Sequence, residues 1–280
     1  SMASSGNGPT IIEFLPDLTT KKKKGVHRPV YANVFAQQVT QGDEVKVIHL
    51  MVNPYSGKKR GEKIAQQAKT AFEAKSIEVT MHLSSYSGEL IELAANLSTQ
   101  ATDVVAVVGG DGSLSEVITG LMQVKSSCRV GLIPAGTGNS MANDLKITST
   151  EEAINRICGG NYQLLDLAKV DMVAGLPGSE NGELTRYSAN LVTWGLGVDS
   201  TIRAEKMRWM GPMRYDVGIL LAIMANNRRH ATLTIDGHAI EDDFTLFLIQ
   251  NSQTGGSLLP LAPGATLDDG MMDIGILKKM

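Results

Sequence analysis

The sequence predicts an α/β protein in two parts, a parallel-sheet domain followed by an antiparallel, β-rich one. Three observations predict it. Between Val45 and Leu145, strand-like apolar runs alternate with helix-period segments and are joined by glycine-rich turns, the pattern of a parallel sheet. Val104–Val108 is apolar at every position, as a strand buried on both faces requires. After about Leu165 the pattern changes to alternating segments separated by Gly/Pro/Asn/Glu-rich loops.

The elements follow in order. Residues 1–44 read as a polar N-terminal extension, and regular structure is expected from near Val45. The lysine run Lys21–Lys24 reads as a solvated linker or as a weak contact with anionic lipid. Val45–Val52 reads as a strand, then Asn53-Pro54-Tyr55-Ser56-Gly57 as a turn and Gly61–Lys75 as a helix, with Ile64, Ala68, Ala71 and Phe72 at helical spacing. Ile77–Leu83 is a second strand, Ser84–Gly88 a loop and Glu89–Leu97 a helix. Asp103–Val108 is a strand, Gly109–Ser113 a turn and Leu114–Gln123 a helix. Arg129–Ile133 is a strand that leads through Pro134–Ser140 into the helix Met141–Leu145. These elements make up a first domain over residues 45–165. The second, residues 166–280, opens with strands at Leu167–Val173 and Arg186–Trp194, followed by a helical insertion over 200–226. Ala231–Ile235 and Phe244–Gln250 alternate again, with Asp236-Gly237 as a hairpin-type turn, and Asp268-Asp269-Gly270 leads into the strand Met272–Leu277.

Composition narrows the function classes. The chain has 280 residues, 42% apolar and 20% charged, enough to bury two cores. Lys and Arg number 26 against 29 Asp and Glu, a net charge of −3, so the basic excess of a nucleic-acid binder is lacking. Cys128 and Cys158 are the only cysteines, too few for a disulfide framework or a four-cysteine zinc site. The first 25 residues lack an apolar signal segment, and no stretch approaches the ~18 apolar residues of a membrane span. A cytoplasmic protein that meets lipid from the water side is the expectation.

The chemistry concentrates in loops. Val104–Val108 runs into Gly109-Gly110-Asp111-Gly112-Ser113 and then directly into a helix. Glycines permit close backbone approach, and the helix start offers N–H groups and the positive dipole end, which suit phosphate. A carboxylate there repels an anion, so Asp111 reads as a general base or a Mg²⁺ partner beside a phosphate to be transferred. A tight strand–helix turn capped by Asp111 fits the same residues. Pro134-Ala135-Gly136-Thr137-Gly138-Asn139-Ser140 also joins a strand to a helix, and Asn53–Gly57 follows the first strand. Three polar loops at the carboxyl edge of a parallel sheet favour a nucleotide site. None is a Walker A loop or a dinucleotide fingerprint.

Asn53-Pro54, Gly109-Gly110-Asp111-Gly112 and Pro134–Asn139 resemble, in order and spacing, the catalytic domain shared by diacylglycerol, sphingosine and ceramide kinases. Trp194–Asp199 and Glu205–Tyr215 resemble the sphingosine and ceramide kinase branch, and Ala262–Asp273 a later strand pair of the family. The resemblance runs from about Val45 to Leu277. It implies a nucleotide domain related to phosphofructokinase and NAD kinase, and a C-terminal antiparallel β-sandwich that receives the lipid. ATP and Mg²⁺ would lie between them. Asp111 would be the general base on the lipid hydroxyl. Asn53, Pro54, Tyr55, Ser84, Ser85, Gly109, Gly110, Gly112, Glu116, Gly136, Thr137 and Gly138 would line the ATP site. Arg208 and Arg214 would hold ATP phosphates, although either fits an exposed helix charge. The lipid side would be Asp111, Asp199 and Thr201.

The sequence departs from the family pattern at two places. Thr201 stands where sphingosine kinases carry an aspartate for the sphingoid head group, which leaves Asp199 or a neutral lipid to take that role. The family's closing Asp-Gly-Glu segment does not occur, so the second domain reads as incomplete at its C-terminal end. Met207, Met210, Met213, Val217, Leu220 and Met224 recur at helical steps, fitting either an acyl-chain face or core packing. Asp269 matches the aspartate of a structural Mg²⁺ site in bacterial relatives and also fits a turn before Gly270. The expectation is therefore an ATP- and Mg²⁺-dependent lipid kinase at a membrane surface. NAD kinase and a non-catalytic nucleotide- or lipid-sensing module are the alternatives.

Overall fold

A computed structural model describes residues 10–13, 27–31, 40–100, 103–173, 183–195, 229–255 and 259–277. Its centre is a six-stranded sheet. β3 (Val47–Val52), β4 (Glu78–Leu83), β5 (Val104–Gly109) and β6 (Arg129–Pro134) run parallel in the spatial order β4-β3-β5-β6. β2 (His27–Tyr31) continues the sheet beside β6, and β7 (Tyr162–Asp166) closes it antiparallel to β2. β5 is buried at every residue, as its unbroken apolar run predicts.

Each face of this sheet has its own apolar layer. On one, α2 (Gly61–Glu73) and α6 (Thr150–Gly159) bring Ala65, Ala68, Phe72, Ile154 and Ile157 against Ile48, Leu50, Ala106 and Ile133. On the other, α3 (Glu89–Ala95) and α4 (Asp111–Gln123) bring Leu90, Leu114, Val117, Ile118 and Leu121 against Met51, Val105 and Val107. Ala189 and Leu165 join this second layer, so it also anchors the second half of the chain.

That second half consists of short antiparallel sheets. β1 (Thr10–Glu13), β8 (Ala168–Val173) and β9 (Glu183–Ser188) form one, and β10 (Leu191–Gly195), β13 (Leu246–Gln250) and β16 (Asp273–Leu277) another. β11 (Arg229–Ile235) and β12 (His238–Phe244) make a hairpin, and β14 (Thr254–Gly255) pairs with β15 (Leu259–Pro260). The hairpin turns at Asp236 and Gly237 with φ of 49° and 81°, the positive pair that a two-residue turn needs. α4 is stitched to β9 at Tyr187, whose carbonyl accepts from Ser115 Oγ at 2.7 Å and whose N–H donates to Thr119 Oγ1 at 3.0 Å.

Several expectations need correction. Regular structure does not begin near Val45, because β1 pairs with β8 and β2 lies between β6 and β7. β1 is four residues long, and β2 carries Pro29, which removes a ladder donor and argues against a central strand. β2 meets β6 only at Val30 and Val130. The segment Arg186–Trp194 is two strands in two sheets, divided at Ala189-Asn190. α6, β7 and β12 were not foreseen. β12 hides behind the acidic Glu241-Asp242-Asp243, which breaks apolar alternation. α4 starts at Asp111, three residues earlier than its apolar stripe. The helical insertion over 200–226 lies outside the described residues.

Candidate active site

Because β4, β3, β5 and β6 are parallel, the loops that follow them leave one edge of the sheet. The loops after β5 and β6 are locked together. Ala135 N–H and Gly136 N–H both donate to the Gly109 carbonyl, at 2.8 and 3.2 Å. Gly110 and Gly136 cross so closely that a Cβ on Gly136 would stand 2.7 Å from Gly110 Cα. Asn139 Nδ2 donates to the Gly136 carbonyl at 3.0 Å. The loop after β3 joins them through Asn53, whose Nδ2 donates to Ser113 Oγ at 3.3 Å and whose Oδ1 accepts the Tyr55 N–H at 3.0 Å. α1 (Ser56–Lys59) is a single irregular turn in this loop, and Gly57 within it has φ +54°. A Cβ there would stand 2.1 Å from the Ala135 carbonyl oxygen.

Asp111 is the centre of the arrangement. Its oxygens accept the N–H groups of Ser140 (3.0 Å) and Met141 (2.9 Å), the first residues of α5 (Ser140–Asp144). The side chains of Ser140 and Asn190 also favour its charged form. The carboxylate therefore caps α5, a neighbouring helix, while Gly110 occupies the cap position of Asp111's own helix. Burial raises the Asp111 pKa above its ordinary 3.8, and the hydrogen bonds only partly offset it. A half-buried carboxylate with a raised pKa beside two glycine loops suits proton abstraction.

The other expected residues sit as follows. Tyr55 is 60% exposed at the rim. Ser84 is buried, its N–H and Oγ both directed at the Val52 carbonyl, while the exposed Ser85 donates its N–H to Glu89. Glu116, one turn or more into α4, accepts the Gly88 N–H at 3.2 Å and so caps α3. Burial raises its pKa, and hydrogen bonds and the charge of Arg186 partly counter this. Gly112 is exposed and a Cβ there would meet nothing within 4 Å. Thr137 is exposed, with Gly136 and Gly138 half-buried beside it. A cleft of about 630 Å³ opens behind this second glycine loop, bordered by Arg60, Ile64, Lys146 and Thr148. Asp199, Thr201, Arg208 and Arg214 lie outside the described residues. Asp269 belongs to a different neighbourhood. Its Oδ1 accepts the Met271 N–H at 3.0 Å in a local turn, and the intervening Gly270 N–H donates to Asp166 Oδ2 at 2.6 Å.

Glycine-rich loops that run into a helix start are of a kind that suits phosphate. Gly110 and Gly136 pack backbone against backbone with the Asn139 side chain beside them, and α4 starts next to this crossing. Asn139 Oδ1, buried against both glycines, has no protein partner and suits a donor such as a hydroxyl or bound water. Among the described residues no three His, Cys, Asp or Glu side chains gather into a metal site.

Sequence reasoning missed the contribution of the second half. Asn190, at the break between β9 and β10, favours the charged form of Asp111. Asp144 in α5 accepts from Thr254 of β14, through the N–H at 3.0 Å and Oγ1 at 2.9 Å. Ser188-Ala189-Asn190 did carry a turn signal. Asp144 and Thr254 carried none, being 110 residues apart.

Comparison with known proteins bears on the family and the fold. Residues 47–170 match the diacylglycerol kinase catalytic domain, and residues 190–280 the YegS C-terminal NAD kinase beta sandwich-like domain. The chain is 28% identical to sphingosine kinase 1 of Arabidopsis thaliana over 74% of its own length and 43% of that protein's. It is 26% identical to a diacylglycerol kinase of Bacillus subtilis, over 84% of this chain and 75% of that one. Ceramide kinase of Mus musculus is 27% identical, over 66% of this chain and 38% of that one. The chain thus spans less than half the length of the eukaryotic relatives. A crystal structure of a diacylglycerol kinase from Bacillus anthracis str. Sterne superposes with a TM-score of 0.60 at 22% identity, covering 83% of this chain and 73% of that one, and shares the fold.

Proposed function

Because the chain belongs to the diacylglycerol kinase catalytic-domain family, we propose that it is an ATP- and Mg²⁺-dependent lipid kinase. It transfers the γ-phosphate of ATP to the primary hydroxyl of a sphingoid base or related lipid, such as sphingosine, ceramide or diacylglycerol. The observation that carries this reading is Asp111, half-buried beside two interlocked glycine loops at the seam between the parallel sheet and the antiparallel half.

The chain's own groups divide the work. Gly109, Gly110, Gly112, Gly136 and Gly138 add no side chain to the phosphate path, and the start of α4 supplies N–H groups and positive dipole. The triphosphate with its Mg²⁺ supplies the phosphoryl group and screens its charge. Asp111 takes the proton as the lipid O–H bond breaks. The alcohol oxygen forms the new bond to phosphorus, and the bond from phosphorus to ADP breaks. For this, the lipid hydroxyl joins the Ser140 and Met141 N–H groups at the Asp111 carboxylate, whose two oxygens have lone pairs to spare. On this reading Arg208 and Arg214 hold phosphate oxygens, and Asp199 with Thr201 faces the lipid head group. The lipid is met from the water side, and among the described residues no helix is long and apolar enough to cross a membrane.

The test is transfer of labelled γ-phosphate from ATP to a micellar panel of sphingosine, ceramide, diacylglycerol and monoacylglycerol, with NAD as a soluble control. Label in one lipid that disappears in Asp111→Asn supports the reading. Label in NAD, or ATP binding without any product, overturns it in favour of NAD kinase or a sensing module respectively.

A further inference from the structure

Asp111 is held by α5, and α5 is held at its other end by the antiparallel half. The two carboxylate oxygens of Asp111 accept the N–H groups of Ser140 at 3.0 Å and Met141 at 2.9 Å, the first residues of that helix. α5 is five residues long, too short to keep its place unaided. Its own cap residue does not anchor it, because Asn139 makes no cap bond and gives its amide to the Gly136 carbonyl at 3.0 Å. Its placement rests on the buried Met141 and Ala142 and on what grips its far end. There Arg156 of α6 donates to the Leu145 and Lys146 carbonyls, each at 2.6 Å, just past the helix. Asp144, the last residue of α5, turns the other way. Its Oδ2 accepts the Thr254 N–H at 3.0 Å and its Oδ1 the Thr254 hydroxyl at 2.9 Å, so one carboxylate takes both donors of one residue of β14. The Thr254 segment is itself fixed. β14 pairs with β15, the Gln253 carbonyl accepts the Leu261 and Ala262 N–H groups at 3.1 and 3.2 Å, and the Gln253 amide donates to the Ala265 carbonyl at 3.0 Å.

We infer that Asp144 is a positioning residue: by taking both donors of Thr254 it lets the antiparallel half set the placement of α5, and with it the Asp111 carboxylate at the helix's other end. This deepens the kinase reading and rests on it for its catalytic consequence. A helix of this length spans only about 7 Å, so a shift at Asp144 reaches Ser140 and Met141 almost undiminished. Asp144 acts through α5 and touches no substrate atom. Its loss should therefore lower turnover and leave nucleotide binding alone. Changes along such a link alter coupling enough to predict a fall in kcat of about threefold to thirtyfold. Asp144 and Thr254 share one contact, so their effects should be non-additive.

The experiment uses the full chain and has two independent readouts. The first is kcat and KM for ATP, with the lipid the parent labels best, in Asp144→Ala, Thr254→Val and the double variant, with Thr254→Ser as the conservative variant and Asp144→Ala repeated on Asp111→Asn. The second is the NMR position of the Met141 backbone N–H in methionine-labelled protein, identified by its loss in Met141→Leu and compared among parent, Asp144→Ala and Asp111→Asn. The expected result is a lower kcat with unchanged KM for ATP, a double variant no worse than Asp144→Ala, and near-parental activity in Thr254→Ser. On Asp111→Asn, Asp144→Ala should lower the residual transfer no further. The Met141 signal should move in both Asp144→Ala and Asp111→Asn. If Asp144→Ala does not fold, Thr254→Val, which keeps the backbone N–H bond, carries the same two readouts. Parental kcat in Asp144→Ala, a Met141 signal that ignores it, or an equal further loss on Asp111→Asn overturns the positioning role. A parent that labels no lipid, together with a Met141 signal that responds to both substitutions, overturns the kinase reading and leaves the link from Thr254 to Asp111 standing.

Discussion

Gly136→Ala tests the locked pair of loops most directly. The added Cβ would stand 2.7 Å from Gly110 Cα, 2.8 Å from Asn139 Oδ1 and 3.1 Å from Gly110 N. Ordinary contact begins at 3.4 Å, so the loops must part by about 0.7 Å, and two of the three obstacles are backbone that cannot rotate away. α5 follows directly from the Gly136 loop. If it moves by the same amount, the Ser140 and Met141 N–H groups go from 3.0 and 2.9 Å to about 3.7 and 3.6 Å from Asp111, beyond hydrogen-bonding distance. Overpacking of this kind costs about 1–3 kcal/mol. For a chain of this size that lowers the apparent Tm by roughly 2–12 °C. A misplacement approaching 1 Å at the reacting group costs turnover about 10²-fold. Differential scanning fluorimetry and the lipid-transfer assay, run side by side, measure both. A variant with parental Tm and parental kcat would show that the loops are not a rigid unit, and the account of Asp111 as clamped by α5 would fall with it.

Asp111→Asn should reduce transfer by about 10²–10⁴-fold while leaving ATP affinity near the parental value, as read by calorimetric titration beside the assay. The acid limb of the kcat–pH profile should lie above 3.8, because burial raises the Asp111 pKa and the base must be ionised to work. The same shift has the opposite sign for stability: a raised folded pKa favours the folded state below 3.8, and the benefit is lost as pH rises through the folded value, which comparison of denaturation midpoints across that range detects. His82 behaves differently. Burial, and then the neighbouring His49, lower its pKa below 6.5, so the unfolded chain takes up the proton first and stability falls as pH drops through 6.5. His82→Gln should flatten that slope in denaturant melts, and an unchanged slope would assign it to other groups.

The sequence alone determined the parallel half and the identity of its central residues. Residues 104–108 read as a fully buried strand from their unbroken apolar run, and a buried strand that ends in Gly-Gly-Asp-Gly before an apolar helical stripe has few local solutions. The loops after β3, β5 and β6 were legible for the same reason, since glycine, proline and asparagine dictate turn geometry locally. The weak strands were not legible. β2 carries Pro29 and is held by pairing with β7, and β12 carries three successive acids on a hairpin. Their apolar pattern is too faint to show a strand, and their pairing depends on chain many residues away. The same limit hid the site's second half. Glycine loops announce a phosphate site, but a hydrogen bond from Thr254 to Asp144 leaves no period or spacing in the chain. Tertiary structure also decided what Asp111 does at rest. Locally it reads as the cap of its own helix. Folding turns its carboxylate instead onto the first N–H groups of α5, because the Gly110–Gly136 crossing brings that helix within reach.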